Sequence, residues 1–443
     1  MIASRPAASP PPSKSKIAQL LADARERTLL LISVLSDDDL HLQHDPLMSP
    51  IIWDVGHIAH FEELWLTQNL DGPIEFSEMP GLYNPFEHPR ATRAALPLPT
   101  LAQMMTRLDE IRARVLDRLH KIEWNDNNPL LKGGYVYNMV LQHEYQHNET
   151  ILQTLQLKKG DPYRAPRSIT FPRRSLTAGG MVRFDGAHVT IGTTDRTRAY
   201  DNERPQHEVY VRPFLIDRAP VTNGRYLDFM DDGGYTRNEL WSLAGRRWLS
   251  ESGAVSPKYW THDGDGWMTR TMDLIRPVDA TRPVCHVCYH EAEAFAKWDG
   301  SRLPSELEWE AAATWDPVTQ RARSFPWGDF DPDSKAANID QLSFDTAPVG
   351  TYDALSPIGC YGMIGDVWEW TSSEFNGYPG FRSFPYKEYS EEFFGTDYKV
   401  LRGGSWATRP GAIRSTFRNW DYPIRRQIFS GFRCAQDLSL IHI

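Results

Sequence analysis

The chain has 443 residues, with 48 Lys plus Arg against 58 Asp plus Glu and a formal net charge of -10. At about 150 residues per domain this length predicts two or three domains, while the charge excludes a chain-wide basic footprint for nucleic acid. Four cysteines are too few for a disulfide framework, and no stretch of about 18 apolar residues predicts a membrane span. We therefore expect a cytoplasmic protein that binds neither nucleic acid nor membranes.

The N-terminal third of the chain predicts a helical domain. Apolar residues recur at helical spacing in four segments, and the second segment starts at Ser49-Pro50, which indicates an N-cap and a proline at the first helical position. The four predicted helices cover 17–35, 49–70, 100–122 and 135–157. Helices of this length are typical of an antiparallel four-helix bundle, which we assign to 14–160. The Pro- and Ser-rich start over 1–13 predicts a disordered arm.

Beyond the bundle the helical spacing ends. Prolines mark a linker over 161–179, and residues 180–437 are rich in Gly, Trp and short β-branched runs. This composition predicts a second domain of α+β type with much irregular structure. The apolar end over 438–443 is unlike its surroundings, and we leave it out as a candidate non-native tail. Only short helices are predicted in the second domain, at 222–230, 289–298 and 306–313.

Histidines on two predicted helices form a candidate metal site. His143 and His147 are four residues apart, so their side chains project from one face of a helix about one turn apart. His57 lies on the second predicted helix, with His60 three residues later. Three imidazoles from facing helices can bind one divalent ion and leave coordination positions open for chemistry. Spacing alone does not decide between His57 and His60.

The fourth predicted helix also satisfies the H-E-x-x-H pattern of zinc peptidases, in which Glu144 would be the general base. The extended pattern with a Gly and a third His is absent, because residues 148–151 are Asn, Glu, Thr and Ile. We therefore favour a metal site for other chemistry. Gln146 and Asn148 are the amides that we expect around it.

Several short motifs follow one another in the second domain, at 201–205, 220–223, 302–310, 325–329, 365–371, 401–406 and 431–433. Their glycines permit tight turns, and their tryptophans fill a core beneath them. In this order they resemble the formylglycine-generating-enzyme fold, a C-type-lectin-like domain. The cysteine pair that these enzymes use is absent from 407–412, so their oxidase chemistry is not implied. We interpret Cys285 and Cys288, on a predicted strand before a helix, as small buried residues rather than redox or zinc ligands.

A second set of runs lies in the bundle and near the C-terminus, at 45–50, 53–58, 62–66, 83–86, 143–149 and 417–426. With these runs the chain resembles, from about Ile17 to Asp437, the sulfoxide synthases of ergothioneine biosynthesis. The resemblance implies a four-helix DinB-like bundle followed by the formylglycine-generating-enzyme-like domain. It implies a non-haem iron(II) bound by His57, His143 and His147. The implied reaction uses O2 to join a thiol to C2 of the imidazole of hercynine, with oxidation to the sulfoxide.

Four arginine and aspartate residues are expected to bind the thiol substrate. Arg90 and Arg93 offer planar guanidinium groups for carboxylates, as γ-glutamylcysteine requires. Asp421 and Arg425 resemble the family residues that complete this pocket. Because all four are present, we favour γ-glutamylcysteine over cysteine as the thiol.

Hercynine carries a trimethylammonium group that cannot donate hydrogen bonds, so its site needs aromatic faces. Trp420, Asn419 and Tyr389 are the candidates for this site, and Gln146 is expected to reach the imidazole or an ordered water.

Tyr386 matches the active-site tyrosine of the family, and Tyr378 is the rival position. A phenol there can donate a proton during oxygen reduction, which favours C–S bond formation over simple thiol dioxygenation. Alternative functions are a selenoneine-type synthase that uses a selenosugar, a zinc-dependent thiol transferase or hydrolase, and a ligand-binding module. The second domain leaves room for a structural calcium ion, and the sequence leaves the oligomeric state open.

Overall fold

The structure is a computed structural model that describes residues 12–70, 81–124, 127–171 and 179–438. Most of the arm predicted over 1–13, the end of the linker over 161–179 and nearly all of the tail over 438–443 lie outside these residues. Within them, a helical N-terminal region precedes a C-terminal region of mixed helices and strands, as the sequence predicts. The domain boundaries drawn from the sequence remain proposals.

The N-terminal region is a bundle of four long helices with one short helix after the first. Thr100 starts the third long helix with a capping box, in which Thr100 and Gln103 each bond the other's backbone. The first and second long helices each contact the third and the fourth, so the predicted four-helix bundle is confirmed. The helices are α1 (Lys14–Ile32), α2 (Asp37–His41), α3 (Ile51–Glu63), α4 (Leu101–Lys121) and α5 (Tyr135–Gln156).

The prediction for the second helix was wrong at both ends. Pro50, and not Ser49, is the N-cap of α3. The Ser49 hydroxyl instead accepts a hydrogen bond from Arg93 at 2.7 Å. At the other end α3 stops at Glu63, and Leu64–Gln68 continue as a π-helical turn.

A buried ion-pair network joins the four long helices of the bundle. Arg25 of α1 contacts Glu62 of α3 at 2.7 Å and Glu144 of α5 at 2.9 Å. Arg112 of α4 adds a second guanidinium on Glu62 at 2.7 Å. Breaking one partner of such a pair leaves a buried charge uncompensated, so these contacts fix which faces of α3 and α5 point away from the network.

The C-terminal region is built from short strands in small sheets. In the largest sheet the order is β12 (Asn419–Asp421), β11 (Lys399–Arg402), β10 (Trp368–Glu374) and β13 (Ser430–Gly431), with β10, β11 and β12 antiparallel. Trp420 pairs with Val400 at its edge, so this sheet carries the predicted residues 419–421. The strands are β1 (Met181–Phe184), β2 (Ala187–Ile191), β3 (His207–Val211), β4 (Phe214–Asp217), β5 (Trp260–His262), β6 (Trp267–Thr271), β7 (Leu274–Pro277), β8 (Trp315–Asp316), β9 (Arg321–Ala322), β10 (Trp368–Glu374), β11 (Lys399–Arg402), β12 (Asn419–Asp421), β13 (Ser430–Gly431) and β14 (Ala435–Asp437).

The three predicted helices of this region are confirmed within one residue, but a fourth was missed. The missed helix has Ser242 as its N-cap and Gly253 as its C-cap. Its interior contains Gly245, which lowers helix propensity and hid the pattern. Cys285 and Cys288 do not lie on a strand as predicted; Cys288 is the N-cap of the helix that follows. The helices are α6 (Asn223–Asp231), α7 (Leu243–Ser252), α8 (Tyr289–Trp298) and α9 (Glu306–Thr314).

Helix α5 also packs against the C-terminal region. The buried carboxylate of Glu149 accepts hydrogen bonds from Trp368, Ser405 and Thr408, each at 2.7 Å. At Gly411 an added Cβ would come within 2.6 Å of the Tyr145 ring, so only glycine allows this approach. The C-terminal region therefore covers one side of the helix that carries His143 and His147. Within the described residues, no helix combines the length and apolar character that crossing a bilayer requires.

Candidate metal centre

Three histidines converge where α3 and α5 face each other. His57 of α3 and His143 and His147 of α5 each offer a ring nitrogen, and these atoms lie within 4.8 Å of one another. His60 turns away from this group, with its ring 6.2 Å from the Tyr83 ring. Burial lowers the pKa of His60 to about 4. The geometry thus separates His57 from His60, which spacing alone did not.

The orientation of the imidazoles fits a divalent cation. The Tyr83 carbonyl oxygen lies 2.9 Å from His57 Nδ1, which leaves His57 Nε2 facing His143 Nε2 at 3.2 Å. Two ligands of one ion at right angles, each about 2.1 Å from it, stand about 3 Å apart. Burial lowers the pKa of His57 and of His143 well below the usual range, so both rings are neutral at pH 7 and able to ligate.

The third imidazole has an acidic neighbour. His147 Nδ1 lies 3.4 Å from Asp54 Oδ1, and Asp54 is buried on the same turn of α3 as His57. A carboxylate behind a ligating histidine fixes its tautomer and orientation. Imidazole suits iron, zinc and copper alike, so the geometry supports a three-histidine metal site without choosing the metal.

Aromatic stacking holds the imidazole planes. Phe61 stacks on His143 with a centroid distance of 3.7 Å and an interplanar angle of 9°. Trp53 stacks on His57 at 5.0 Å and 11°. Side chains locked by packing in this way hold a preorganised ligand set.

Gly56 has no side chain, so the Tyr83 ring can pack against α3 while the Tyr83 carbonyl oxygen reaches His57. A Cβ at Gly56 would lie 2.2 Å from the Tyr83 ring, so the ring and its backbone would have to move. We expect Gly56→Ala to destabilise the fold by about 1–3 kcal/mol through overpacking and to weaken metal binding about tenfold or more, because the Tyr83 carbonyl would leave His57. Thermal unfolding and metal competition with a chelator measure the two effects.

Gly179→Ala is the control for this variant, because nothing lies within 4 Å of a Cβ there. Wild-type metal affinity in Gly56→Ala would contradict the role given to Tyr83.

Two polar residues of α5 do not face the metal site. Glu144 points into the bundle, where Arg25 and the Thr28 hydroxyl bind its carboxylate. It is therefore not placed to act as the general base of a peptidase. Asn148, which we expected around the site, donates to Thr28 at 2.7 Å and faces α1. That expectation was wrong, because Asn148 lies about 100° around the helix from His147.

A group of guanidinium groups lies beside the three imidazoles. Arg93 stacks 3.6 Å from the centroid of the Trp53 ring, which in turn stacks on His57. Arg90 and Arg425 both donate to the Leu47 carbonyl oxygen, at 3.2 and 3.1 Å. The structure thus brings all three predicted arginines to one side of the metal site.

The arginine cluster, which consists of Arg90, Arg93 and Arg425, has more positive charges than the carboxylates paired with it. Among the described residues it forms one ion pair, between Arg425 and Asp421 at 3.2 Å. Burial lowers the pKa of Arg93 to about 10, and burial and the charge of Arg425 lower the pKa of Arg90. Arg93 is buried and Arg90 partly buried, and neither forms an ion pair with a described carboxylate, so the cluster favours an anionic ligand.

Aromatic and amide groups line another part of the surroundings. Gln146, on the same helix as His143, donates to the Tyr200 hydroxyl at 2.7 Å and reaches the Tyr389 hydroxyl at 3.5 Å. The ring of Trp420 meets Tyr389 edge-on at 6.1 Å, and Asn419 precedes Trp420 on β12. Of the four residues predicted for hercynine, Gln146, Tyr389 and Trp420 therefore form one contiguous group, and Asn419 lies next to Trp420 along the strand.

Tyr386 is connected to the metal site through aromatic rings. It stacks on Trp65 at 5.1 Å, Trp65 lies 6.1 Å from Phe61, and Phe61 stacks on His143. Burial raises the pKa of Tyr386 well above its ordinary value, so the phenol carries its proton at neutral pH.

The rival Tyr378 lies elsewhere. Its ring packs 4.2 Å from the Arg418 guanidinium and beside His207, in the core of the C-terminal region.

Burial raises the pKa of Cys285, which argues against a reactive thiolate there. Among the described residues, the three histidines are the one group of three or more His, Cys, Asp or Glu side chains that is close enough to hold an ion. The structural calcium stays a prediction.

The sequence did not single out Asp54, Gly56 or the carbonyl groups of Leu47 and Tyr83. A signal was available for the first two: Asp54 stands three residues before His57, and Gly56 is an unusual glycine inside a helix. Carbonyl groups leave no such signal, since every residue has one.

Comparison with known proteins gives matches over nearly the whole chain. The DinB superfamily model matches residues 20–151, and the model of the sulfatase-modifying factor enzyme 1-like domain matches residues 163–438, which confirms the predicted fold class. The hercynine oxygenase of Mycolicibacterium thermoresistibile is 44% identical, with 96% of each chain covered. Those of Mycolicibacterium smegmatis and Mycobacterium tuberculosis are also 44% identical, with 96% of this chain and 100% of theirs covered.

Proposed function

Because this chain belongs to the hercynine oxygenase family, we propose that it is an iron(II)- and O2-dependent sulfoxide synthase. It joins the thiol of γ-glutamylcysteine to C2 of the imidazole of hercynine, in ergothioneine biosynthesis. The observation that carries the proposal is a three-imidazole site with an arginine cluster on one side and an aromatic and amide group on another.

The proposed reaction needs no outside reductant. The C–H bond at C2 of hercynine and the S–H bond of the thiol break, and a C–S bond forms. One oxygen atom of O2 enters the sulfoxide, and the other leaves as water with the two released hydrogens. Four electrons leave the two substrates and reduce O2, so the step balances with the three substrates alone.

His57, His143 and His147 would hold the iron, with Asp54 and the Tyr83 carbonyl fixing two of the rings. Bound there, iron(II) would supply redox chemistry for O2 and a soft acceptor for sulfur in its open positions. The stacked Phe61 and Trp53 rings exclude water from two of the imidazole faces.

The arginine cluster binds and orients the thiol substrate in this proposal. γ-Glutamylcysteine has two carboxylates and one ammonium group, which match the guanidinium groups and the carboxylate of Asp421. The same positive charges favour the thiolate over the thiol. Cysteine has a single carboxylate and would leave part of the cluster unpaired.

Hercynine occupies the aromatic and amide group. The faces of Trp420 and Tyr389 suit the trimethylammonium group, and Gln146 orients the imidazole directly or through a water. Tyr386 donates a proton during oxygen reduction and so favours the C–S product.

Reconstitution tests the proposal. The metal-free protein is loaded anaerobically with iron(II), then given hercynine, γ-glutamylcysteine and O2, and O2 uptake and product mass are measured. We expect the mass of the hercynine–thiol sulfoxide with one O2 used per product. The same product without O2 uptake, turnover with zinc alone, or no coupled product would contradict the proposal.

Arg90 provides a sharper test of the thiol. We expect Arg90→Met to raise the KM for γ-glutamylcysteine about tenfold to 100-fold, because a charge-assisted hydrogen bond is lost, and to leave the KM for hercynine unchanged. Steady-state kinetics with each substrate varied separately measure this. Arg183→Met, on the exposed part of β1, is the matched control. Equal effects on both substrates would contradict the assignment.

A further inference from the structure

The segment that carries Tyr386 and Tyr389, residues 384–390, is fastened at both of its ends to one buried side chain. We propose that Asp201 is a positioning residue for the reaction: its carboxylate holds this segment and so sets where the Tyr386 phenol stands. This inference rests on the proposed function, in which Tyr386 donates a proton. Asp201 itself is not placed against a substrate.

The two contacts come from opposite ends of the segment. Asp201 is fully buried, and its carboxylate accepts from the backbone N–H of Phe384 at 3.1 Å and from the hydroxyl of Ser390 at 2.5 Å. The neighbouring Asn202 donates to the same Ser390 hydroxyl at 3.0 Å. Burial raises the pKa of Asp201 to about 6, while these donors favour the ionised form. The Asp201 side chain therefore ties together the two ends of the segment that contains Tyr386 and Tyr389.

The turn that carries Asp201 is itself held in place. The Arg204 guanidinium lies 5.6 Å from the centroid of the Phe384 ring. Tyr200, just before the turn, stacks on Tyr389 at a centroid distance of 4.4 Å. Its backbone N–H donates a hydrogen bond to the Glu203 carboxylate at 2.8 Å. The turn and the segment thus also meet through the rings of Phe384 and Tyr389.

Within the segment, the backbone offers little order of its own. Its regular structure is one 3-10 turn at Lys387–Tyr389. The phenol of Tyr386 packs on Trp65 of the bundle, so its place depends on how the segment is held between the two regions. A displacement of about 1 Å at a catalytic group can cost about 100-fold in rate. Loss of the Asp201 contacts would therefore act on the position of Tyr386 and not on the metal ligands.

The test uses Asp201→Asn and Ser390→Ala in the full chain. Asparagine cannot accept from both donors in the same way, because its NH2 group must face one of them; Ser390→Ala removes one contact outright. We expect backbone amide hydrogen exchange in peptides covering 384–390 to become about tenfold faster in the metal-free protein. In the iron-loaded enzyme we expect the ratio of sulfoxide to thiol sulfinate to fall at least about fivefold, toward that of Tyr386→Phe, with metal affinity unchanged.

Asp366→Asn is the matched control. Asp366 is also buried, accepts from the backbone N–H of Ala347 and from Asn338, and has its pKa raised to about 6 by burial. It should lose stability without changing exchange at 384–390 or the product ratio. Should Asp201→Asn fail to fold, Ser390→Ala carries the same test.

Wild-type exchange in both variants would overturn the inference, as would faster exchange with a wild-type product ratio. Failure of the proposed function has a different signature: Tyr386→Phe itself would then keep the wild-type ratio. Faster exchange with a shifted ratio in both variants, and neither change in Asp366→Asn, supports the inference.

Discussion

His57→Ala is expected to lose its metal and at least about a thousandfold of its turnover. His57 is one of three imidazoles whose donor atoms lie within 4.8 Å of one another, and removal of one leaves two ligands for the ion. A metal contributes several kcal/mol to catalysis, and each 1.36 kcal/mol is about tenfold in rate. Metal content by elemental analysis and O2 uptake with both substrates measure the result.

His60→Ala is the matched control for this variant. His60 is buried on the same helix three residues away, but it faces Tyr83 and is not one of the converging histidines. It should keep its metal and most of its turnover. If His60→Ala loses metal as His57→Ala does, the ligand set proposed here is wrong.

Tyr386→Phe is expected to change which product forms. The variant keeps the ring that stacks on Trp65 but has no proton to donate. General acid catalysis contributes about 100-fold or more, so we expect the rate of sulfoxide formation to fall by about that factor while thiol sulfinate accumulates. Metal affinity should stay at the wild-type value. Mass spectrometry of both products, with O2 uptake, gives the partition.

Tyr378→Phe separates this effect from loss of a buried phenol in general. Tyr378 is buried against Arg418 in the core of the C-terminal region. Its variant should lose some stability and keep the wild-type product ratio. An unchanged ratio in Tyr386→Phe would reject the proton-donor role.

Periodicity and caps predicted the bundle, since long amphipathic helices repeat one pattern over many residues. The i, i+4 pair His143 and His147 followed from helix geometry alone. The choice of His57 over His60 depended on the family resemblance, because both stand on the buried helix α3 and only tertiary packing tells them apart.

The remaining parts of the site depend on contacts between distant segments. The meeting of Arg90 with Arg425 at the Leu47 carbonyl joins three segments that no local pattern connects. The expectation for Asn148 was wrong because it used closeness to His147 in sequence and ignored that neighbouring residues on a helix point about 100° apart. Helix α7 was missed because a short helix with an internal glycine gives a weak periodic signal.

The contact of Glu149 with Trp368, Ser405 and Thr408 bears on how such chains can be recombined. Burial raises the pKa of this carboxylate, and neutral donors from the C-terminal region satisfy it. A bundle cut out on its own would present that carboxylate without its donors and the histidine-bearing helix without its apolar cover. A chimera that exchanges C-terminal halves between relatives must therefore preserve the side chains that contact α5 as well as the residues of the pocket.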